Sequence, residues 1–370
     1  MNKNQKKLIE ILSLSIRGQK LNELNVEEIE WDIVLKEAIE HDIQMLLYTA
    51  LKDIPSSSDS WKEFIARLKM ITMRTVARYI QHNQDISIVL TRLKEAGIPV
   101  IALKGIVLKE LYPCPELRTM GDTDLLVPIE YINLSKNIIE DLGYYEDMPH
   151  ARGVHLAHET KLYIELHWEL LEQNKLKHSI ESLEKDVWSN KVLTNICGIQ
   201  MHRLGNVDQM LYLCFHMITH LIYGGFGLRQ LCDFILCTES TKDIINWEEF
   251  WDKAGKLGIA NFASAIFMVC SQTLGLDAPL PPTKFRHKQK IIQKLTLEIM
   301  RSGTFGMKAM KWTRSINIFY GKFKDVNIVI KCINLIKFSP ILLNELPYYT
   351  FTKLILDNRR KRLLRKLDLI

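Results

Sequence analysis

Paired cysteines are missing from this chain. Seven cysteines are scattered through 370 residues, none in a Cys-x-x-Cys pair. An odd, unframed set of this kind argues against a secreted scaffold stapled by disulfides. Cys214 and Cys270 stand among apolar residues, where thiols serve as small core hydrophobes. No apolar run reaches the roughly 18 residues that a bilayer-crossing helix needs. The polar start Asn2-Lys3-Asn4-Gln5 has no apolar signal region, and the expected compartment is the cytoplasm. Neither sign of charge dominates. Forty-nine basic residues against 43 acidic ones leave a formal charge of +6. That surplus suits anionic ligands such as nucleotides without specifying a nucleic acid. Internal repeats and disordered stretches are absent too. What is present is 47% apolar and 25% charged residues, the composition of a folded protein with room for two or three compact units.

The hydrophobic period changes twice along the chain. Up to about residue 90 it is helical: Leu8, Ile9, Leu12 and Ile16, then Val34, Ala38 and Ile39, then Met45, Leu46 and Ala50. Pro55-Ser56-Ser57-Ser58 interrupts the pattern. A long helix starts near Trp61, carries Ile86, Val89, Leu90 and Leu93 on one face, and stops at Gly97. Ile98 to Leu103 then reads as a strand, Ile106 to Tyr112 as a short helix, and Asp122 to Val127 as a second strand. Ile129 to Leu142 reads as a helix closed by Gly143, and Tyr163 to Trp168 as a strand. Beyond about residue 200 the helical period returns in Val207, Met210, Leu211, Cys214, Met217, Ile218 and Leu221. Asn246 is an expected N-cap, with Glu249 placed to reciprocate. Ile259 to Leu274 is apolar enough to be buried. The predicted organisation is α+β, with helical residues 1–92, an α/β core over 93–200 and helical residues 201–370. The chain closes on Arg359, Arg360, Lys361, Arg362, Arg365 and Lys366, either a solvated helix or a weak contact for a membrane surface or polyanion.

The chemistry concentrates in two segments. In Arg118-Thr119-Met120-Gly121-Asp122-Thr123-Asp124-Leu125-Leu126-Val127, strand alternation points Asp122 and Asp124 to one face. Adjacent carboxylates repel unless a cation lies between them, and hard oxygen donors suit magnesium or manganese. The bland reading is an exposed polar strand end. In Tyr163-Ile164-Glu165-Leu166-His167-Trp168, Glu165 and His167 share one face and the apolar residues the other. An acid on a strand built for burial needs a partner, either a shared metal or a lysine or arginine. Arg118 suits phosphate oxygens, or Asp122 or Asp124. His216 and His220, four apart, have zinc-ligand spacing but no neighbouring glutamate of the metalloprotease kind. Buried, hydrogen-bonded histidines are the other reading. Arg229 and Asp233 are also four apart, placed to pair with each other or to face a cleft.

The run from Leu103-Lys104-Gly105 to Val127, followed by Ile164-Glu165-Leu166-His167-Trp168, resembles the uncharacterised bacterial nucleotidyltransferase family of the polymerase-beta-like superfamily. Weaker matches flank it at Ala38-Ile39-Glu40-His41, Leu213-Cys214-Phe215-His216 and Leu231-Cys232-Asp233. The resemblance implies a minimal nucleotidyltransferase core, a small mixed sheet with packed helices. It implies two magnesium or manganese ions on Asp122 and Asp124, with Glu165 as third acid. The candidate nucleotide contacts are Lys104, Gly105 and Gly121 at the motif, with Arg118 and Arg229 joining them if they face phosphate or base rather than pair with acids. One departure stands out: the wider superfamily has Gly-Ser where this chain has Lys104-Gly105. Here the Gly105 amide and the Lys104 charge are the groups for a triphosphate; a solvated turn lysine is the plain alternative. The expected reaction transfers a nucleoside monophosphate from a triphosphate to a hydroxyl of a small molecule, sugar or peptide, with release of pyrophosphate. Two rival readings are metal-dependent sugar transfer from a nucleotide-sugar and a non-catalytic nucleotide-binding protein. The first lacks its usual nucleotide-binding region ahead of the motif.

Overall fold

The structure is a computed structural model, and its described residues are 1–21, 29–55, 58–150, 153–170, 186–304 and 358–369. Four helices open the chain: α1 (Lys3–Ser15), α2 (Trp31–Glu40), α3 (Gln44–Leu51) and α4 (Asp59–Glu95). Leu8, Ile9, Leu12 and Ile16 are all buried, as their spacing predicts. Ile39 is not. It is 38% exposed, because α2 turns Val34, Leu35 and Ala38 inward instead. At 37 residues, α4 runs roughly 55 Å at 1.5 Å per residue. Its first half puts Trp61, Phe64 and Leu68 into one hydrophobic core. Its last turns put Ile86, Val89, Leu90 and Leu93 into another. Gly97, at φ +70°, closes it in a left-handed conformation open to glycine.

The second core lies under a mixed seven-stranded sheet of order β3-β4-β5-β2-β1-β7-β6. The strands are β1 (Ile101–Ala102), β2 (Asp122–Leu126), β3 (Tyr145–His150), β4 (Gly153–Ala157), β5 (Tyr163–His167), β6 (Val192–Ile196) and β7 (Ile199–Arg203). Strands predicted at Ile98–Leu103, Asp122–Val127 and Tyr163–Trp168 form over shorter spans. The predicted helix after the Lys104-Gly105 turn is one turn, α5 (Gly105–Leu108), continued as 3-10 helix to Leu111. The helix predicted over Ile129–Leu142 begins as 3-10 and settles into α6 (Ile132–Glu140).

The central pairs decide the site. β2 lies parallel to β5 with Asp124 opposite Glu165, and β4 lies antiparallel to β5 with His155 opposite Glu165. Leu125, Ile164, Leu166, Val154 and Leu156 face the second core. The alternate residues Asp122, Asp124, Glu165, His167 and His155 therefore share the opposite face.

Helices return with α7 (Asn206–Tyr223), α8 (Leu228–Thr241), α9 (Trp247–Lys256), α10 (Ala260–Leu274), α11 (Gln289–Ser302) and α12 (Asn358–Lys366). Buried residues of α1 to α4 and of α7 to α12 form one hydrophobic core, so the two helical ends of the chain share an interior. Asn246 caps α9 by accepting the Glu249 amide. The Glu249 carboxylate turns to Lys253 at 3.0 Å rather than reciprocating. In α12, Leu363, Leu364 and Leu367 are buried, and Arg360 pairs with Glu298 at 2.6 Å. Arg362, Arg365 and Lys366 are exposed. Among its described side chains, the basic C-terminal run is thus a docked amphipathic helix with Arg360 turned inward.

Candidate active site

The site begins at the turn from β1 into α5. Lys104 sits there at φ 49°, ψ −126°, a backbone conformation that a residue with a Cβ adopts at a cost. Two bonds hold it. The Leu103 amide donates to the Asp124 carbonyl at 3.0 Å, and the Lys104 ammonium donates to the Asp124 carboxylate. Asp124 is only 2% exposed. It also contacts His167, whose Nε2 lies 2.9 Å from Asp124 Oδ1 and 3.4 Å from Glu165 Oε2. The other Glu165 oxygen faces His155 Nδ1 at 3.9 Å. Glu165 thus finds imidazoles, where lysine or arginine was the expected salt-bridge partner. Lys104 is no solvated turn lysine: its charge is turned onto the buried strand.

These contacts set the charge states. Burial works to raise the Asp124 carboxyl, but Lys104 and His167 together hold it well below the usual carboxylate range. Glu165 is likewise lowered: burial, the largest single influence, raises it, but the His167 hydrogen bond and the charges of Lys104 and His167 together outweigh burial and the neighbouring Asp124. His167 is raised above the ordinary imidazole value, because Asp124 and Glu165 outweigh its desolvation. Asp122 goes the other way. Burial and the neighbouring Asp124 push it up to about 6, against the pull of Lys104. The face therefore holds more negative charge than its own cations neutralise comfortably, and the excess falls on Asp122.

Among the described residues, Asp124, Glu165 and His167 offer three ligand atoms within 4.8 Å of one another, a set able to hold a metal ion. The expected trio was Asp122, Asp124 and Glu165. The register brings Glu165 to Asp124 as anticipated, while Asp122, opposite Tyr163, stands outside the tight set. His167 takes the third place. Its signal was visible in the Glu165-x-His167 alternation and was given no role.

Two arginines brace the loop that leads into β2. Arg118 grips Asp233 of α8 with Nε at 2.8 Å and Nη2 at 2.7 Å, and the Tyr112 hydroxyl donates to the same carboxylate at 2.7 Å. Asp233 thus takes the guanidinium that the sequence assigned to phosphate or to the β2 aspartates. Arg229 bonds Asp42 at 2.6 Å and the Thr119 carbonyl at 3.3 Å. Asp42 follows His41, whose Nδ1 accepts the Leu228 amide at 3.2 Å at the start of α8. Two of the loosely matching flanking motifs, those ending in His41 and Asp233, thus meet around one loop. Gly105 lies beneath it: a Cβ there would come within 2.6 Å of Arg118 Nη1. Gly121 has open space around its Cβ position.

Opposite the acids runs α7. Tyr212 titrates well above its ordinary value, first through burial, while Lys104 opposes the shift. His216 and His220 are both lowered by burial, His220 to about 3. They share a hydrogen bond of 2.9 Å between their Nε2 atoms. The pair is the neutral, hydrogen-bonded one of the two readings. Lys104 and Asp124 act on both histidines, which places this side of α7 over the acidic face. Tyr212 carried no sequence signal beyond its helical position.

Residues 27–275 match the uncharacterised nucleotidyltransferase family. The chain belongs to that family. It is a transferase of the nucleotidyl class, with the α+β fold that the polymerase-beta-like resemblance implied. No curated protein matches it. Among solved structures it is similar to the antibiotic-resistance factor ANT(2'')-Ia in solution, at 13% identity and a TM-score of 0.33, over 51% of this chain and 96% of that one. A crystal structure of ANT(2'')-Ia with adenylyl-2''-tobramycin aligns at 13% identity and 0.32, over 46% and 92%. An antigenic nucleotidyltransferase-like protein from Paracoccidioides brasiliensis aligns at 11% and 0.31, over 55% and 96%. Among the described residues of this nucleotidyltransferase, no helix is long and apolar enough to cross a membrane.

Proposed function

We propose that this nucleotidyltransferase transfers a nucleoside monophosphate from a nucleoside triphosphate to a hydroxyl of a small molecule, sugar or peptide, and releases pyrophosphate. The observation that carries the reading is the β2/β5 register, which sets Asp124 against Glu165 with Asp122 on the same face. The residues present fit divalent ions, magnesium or manganese. They are oxygen donors of the kind such ions take, and the carboxyl of Asp122, pushed up to about 6, marks charge that a cation would relieve. Asp122, Asp124 and Glu165 would hold two such ions. When bound, these ions supply charge neutralisation to the triphosphate and favour loss of the acceptor proton.

The protein's own groups do the rest by position. Lys104 is a buried ammonium at the mouth of α5, ready to exchange part of its Asp124 contact for phosphate oxygens. Gly105 keeps that approach free of a side chain, and Gly121 does the same at the head of β2. Arg118 and Arg229 act by holding the loop between these glycines through Asp233 and Asp42. Glu165, kept ionised by His167, orients the acceptor hydroxyl for in-line attack on the α-phosphorus. Tyr212 and His216 line the wall that the acceptor meets.

The test uses Asp122→Asn. Asp124 is less suitable, since its loss strands the buried Lys104 charge. Thermal shifts with ATP, CTP, GTP and UTP, with and without magnesium or manganese, are followed by pyrophosphate release with candidate acceptors. Divalent-dependent stabilisation by a triphosphate in the wild type, lost in the folded variant, is expected. Equal stabilisation of both proteins overturns the reading. Stabilisation by UDP-sugars without pyrophosphate release replaces it with sugar transfer.

A further inference from the structure

We infer that His167 is an inner ligand of one ion in this site, so that the Asp124–Glu165–His167 position is a mixed carboxylate–imidazole centre preferring a first-row transition ion, Mn²⁺, to Mg²⁺. The inference rests on the metal-dependent reading above and assigns a donor which that reading does not contain.

The geometry supports it at three points. Strand alternation puts Glu165 and His167 on one face, and the parallel register brings Asp124 beside them. Nε2 then lies 2.9 Å from one carboxylate and 3.4 Å from the other. Neighbouring ligands of an octahedral ion with bonds near 2.1 Å are about 3 Å apart, so this spacing suits an ion that all three atoms share. Nε2 is also the ring atom turned toward the acids. The other ring nitrogen lies on the far side, 3.4 Å from where a Cβ of Gly153 on β4 would stand. Finally, His155 Nδ1 stands 3.9 Å from the second Glu165 oxygen, longer than a hydrogen bond but on the side from which an outer partner would steady a ligating carboxylate.

Donor chemistry gives the selectivity. An imidazole nitrogen adds little for magnesium, which takes oxygen donors and water, and more for first-row transition ions, of which Mn²⁺ gains least and is therefore the stringent comparison with Mg²⁺. In the metal-free protein the same nitrogen, together with Lys104, compensates the two acids. That explains how an acid as buried as Asp124 is tolerated.

The test uses Mn²⁺ alone, without nucleotide. Free Mn²⁺ is followed by its paramagnetic resonance signal during titration of the wild type and of His167→Gln, and Mg²⁺ affinity is read by competition. Pulsed resonance on the wild-type Mn²⁺ complex looks for ¹⁴N modulation from a coordinated imidazole. Expected are nitrogen modulation in the wild type, its loss in His167→Gln, and an Mn²⁺ affinity weaker by at least the roughly 10- to 100-fold that loss of a mere outer-shell partner costs, with Mg²⁺ affinity little changed. Mn²⁺ bound by the wild type without nitrogen modulation overturns the imidazole ligand and leaves metal-dependent transfer standing. A wild type that binds neither ion overturns both. The wild-type spectrum decides the matter even if the variant fails to fold.

Discussion

Lys104 combines a strained backbone with a buried charge, and both are met by one residue, Asp124, through its carbonyl and its carboxylate. Removing the ammonium leaves Asp124 ionised in a site that water barely reaches. Lys104→Met is therefore expected to cost about 3–5 kcal/mol of stability, the usual penalty for stranding one member of a buried pair. Urea denaturation measures it, and added Mn²⁺ should recover part of the loss. Asp122 behaves oppositely. Its carboxyl rises from the model-peptide value of 3.8 to about 6 on folding. A raised carboxyl costs stability as pH climbs through that interval, since the native state holds a proton that the unfolded chain has released. Asp122→Asn should thus be more stable than the wild type at pH 7 without metal, by on the order of 1–3 kcal/mol, and equal to it near pH 3.5. A denaturation series across that range checks the sign. A difference that persists at the acid end would mean Asp122 acts through something other than its charge.

At the scale of elements, the loop between α5 and β2 hangs from α8 by the two-pronged Arg118–Asp233 bond and from the turn after α2 by Arg229–Asp42. Arg118→Lys keeps the charge and loses the fork. It should lower triphosphate-dependent stabilisation roughly tenfold in apparent affinity while the protein stays folded, because about 1.4 kcal/mol of loop disorder is tenfold in a binding constant. Calorimetric titration reads it out. These braces also mark what the sequence could not show. Asp122, Asp124, Glu165 and His167 were legible because period two along a strand fixes which side chains share a face. The partners of Arg118 and Arg229 lie 115 and 187 residues away, beyond any local periodicity. Strands β3 and β6 were silent for a different reason. They edge the sheet, and β3 carries Glu146, Asp147 and Pro149 where apolar alternation was sought. The β6–β7 hairpin turns through Cys197 and Gly198, both at positive φ, and Cys-Gly is not among the pairs that announce such a turn.

Across the whole molecule, buried neutral histidines set a limit on the acid side. Burial, then the nearby Lys109, pushes His82 down to about 4, and it lies 3.0 Å from Thr123 of β2. His216 and His220 are lowered in the same direction. An unfolded histidine takes its proton near pH 6.5 while the native one does not, so stability holds above that pH and falls as pH drops toward 4. His82 alone contributes up to about 3 kcal/mol of that fall. Denaturation at pH 7.5 and pH 4.5 should show a smaller loss for His82→Gln than for the wild type.

The common interior of the first and last helices sets an order on synthesis. The ribosome releases α1 to α3 well before α7 to α11 exist, so their apolar faces emerge with nothing to cover them, while the sheet and the end of α4 can already consolidate. A nascent chain halted at residue 200 would then carry the acidic strands β2 and β5 on an unfinished body, without β7 or the Asp233 brace. Such a chain is the kind of intermediate that holding chaperones bind, and any expression strategy that divides the protein into halves has to supply both helical ends together.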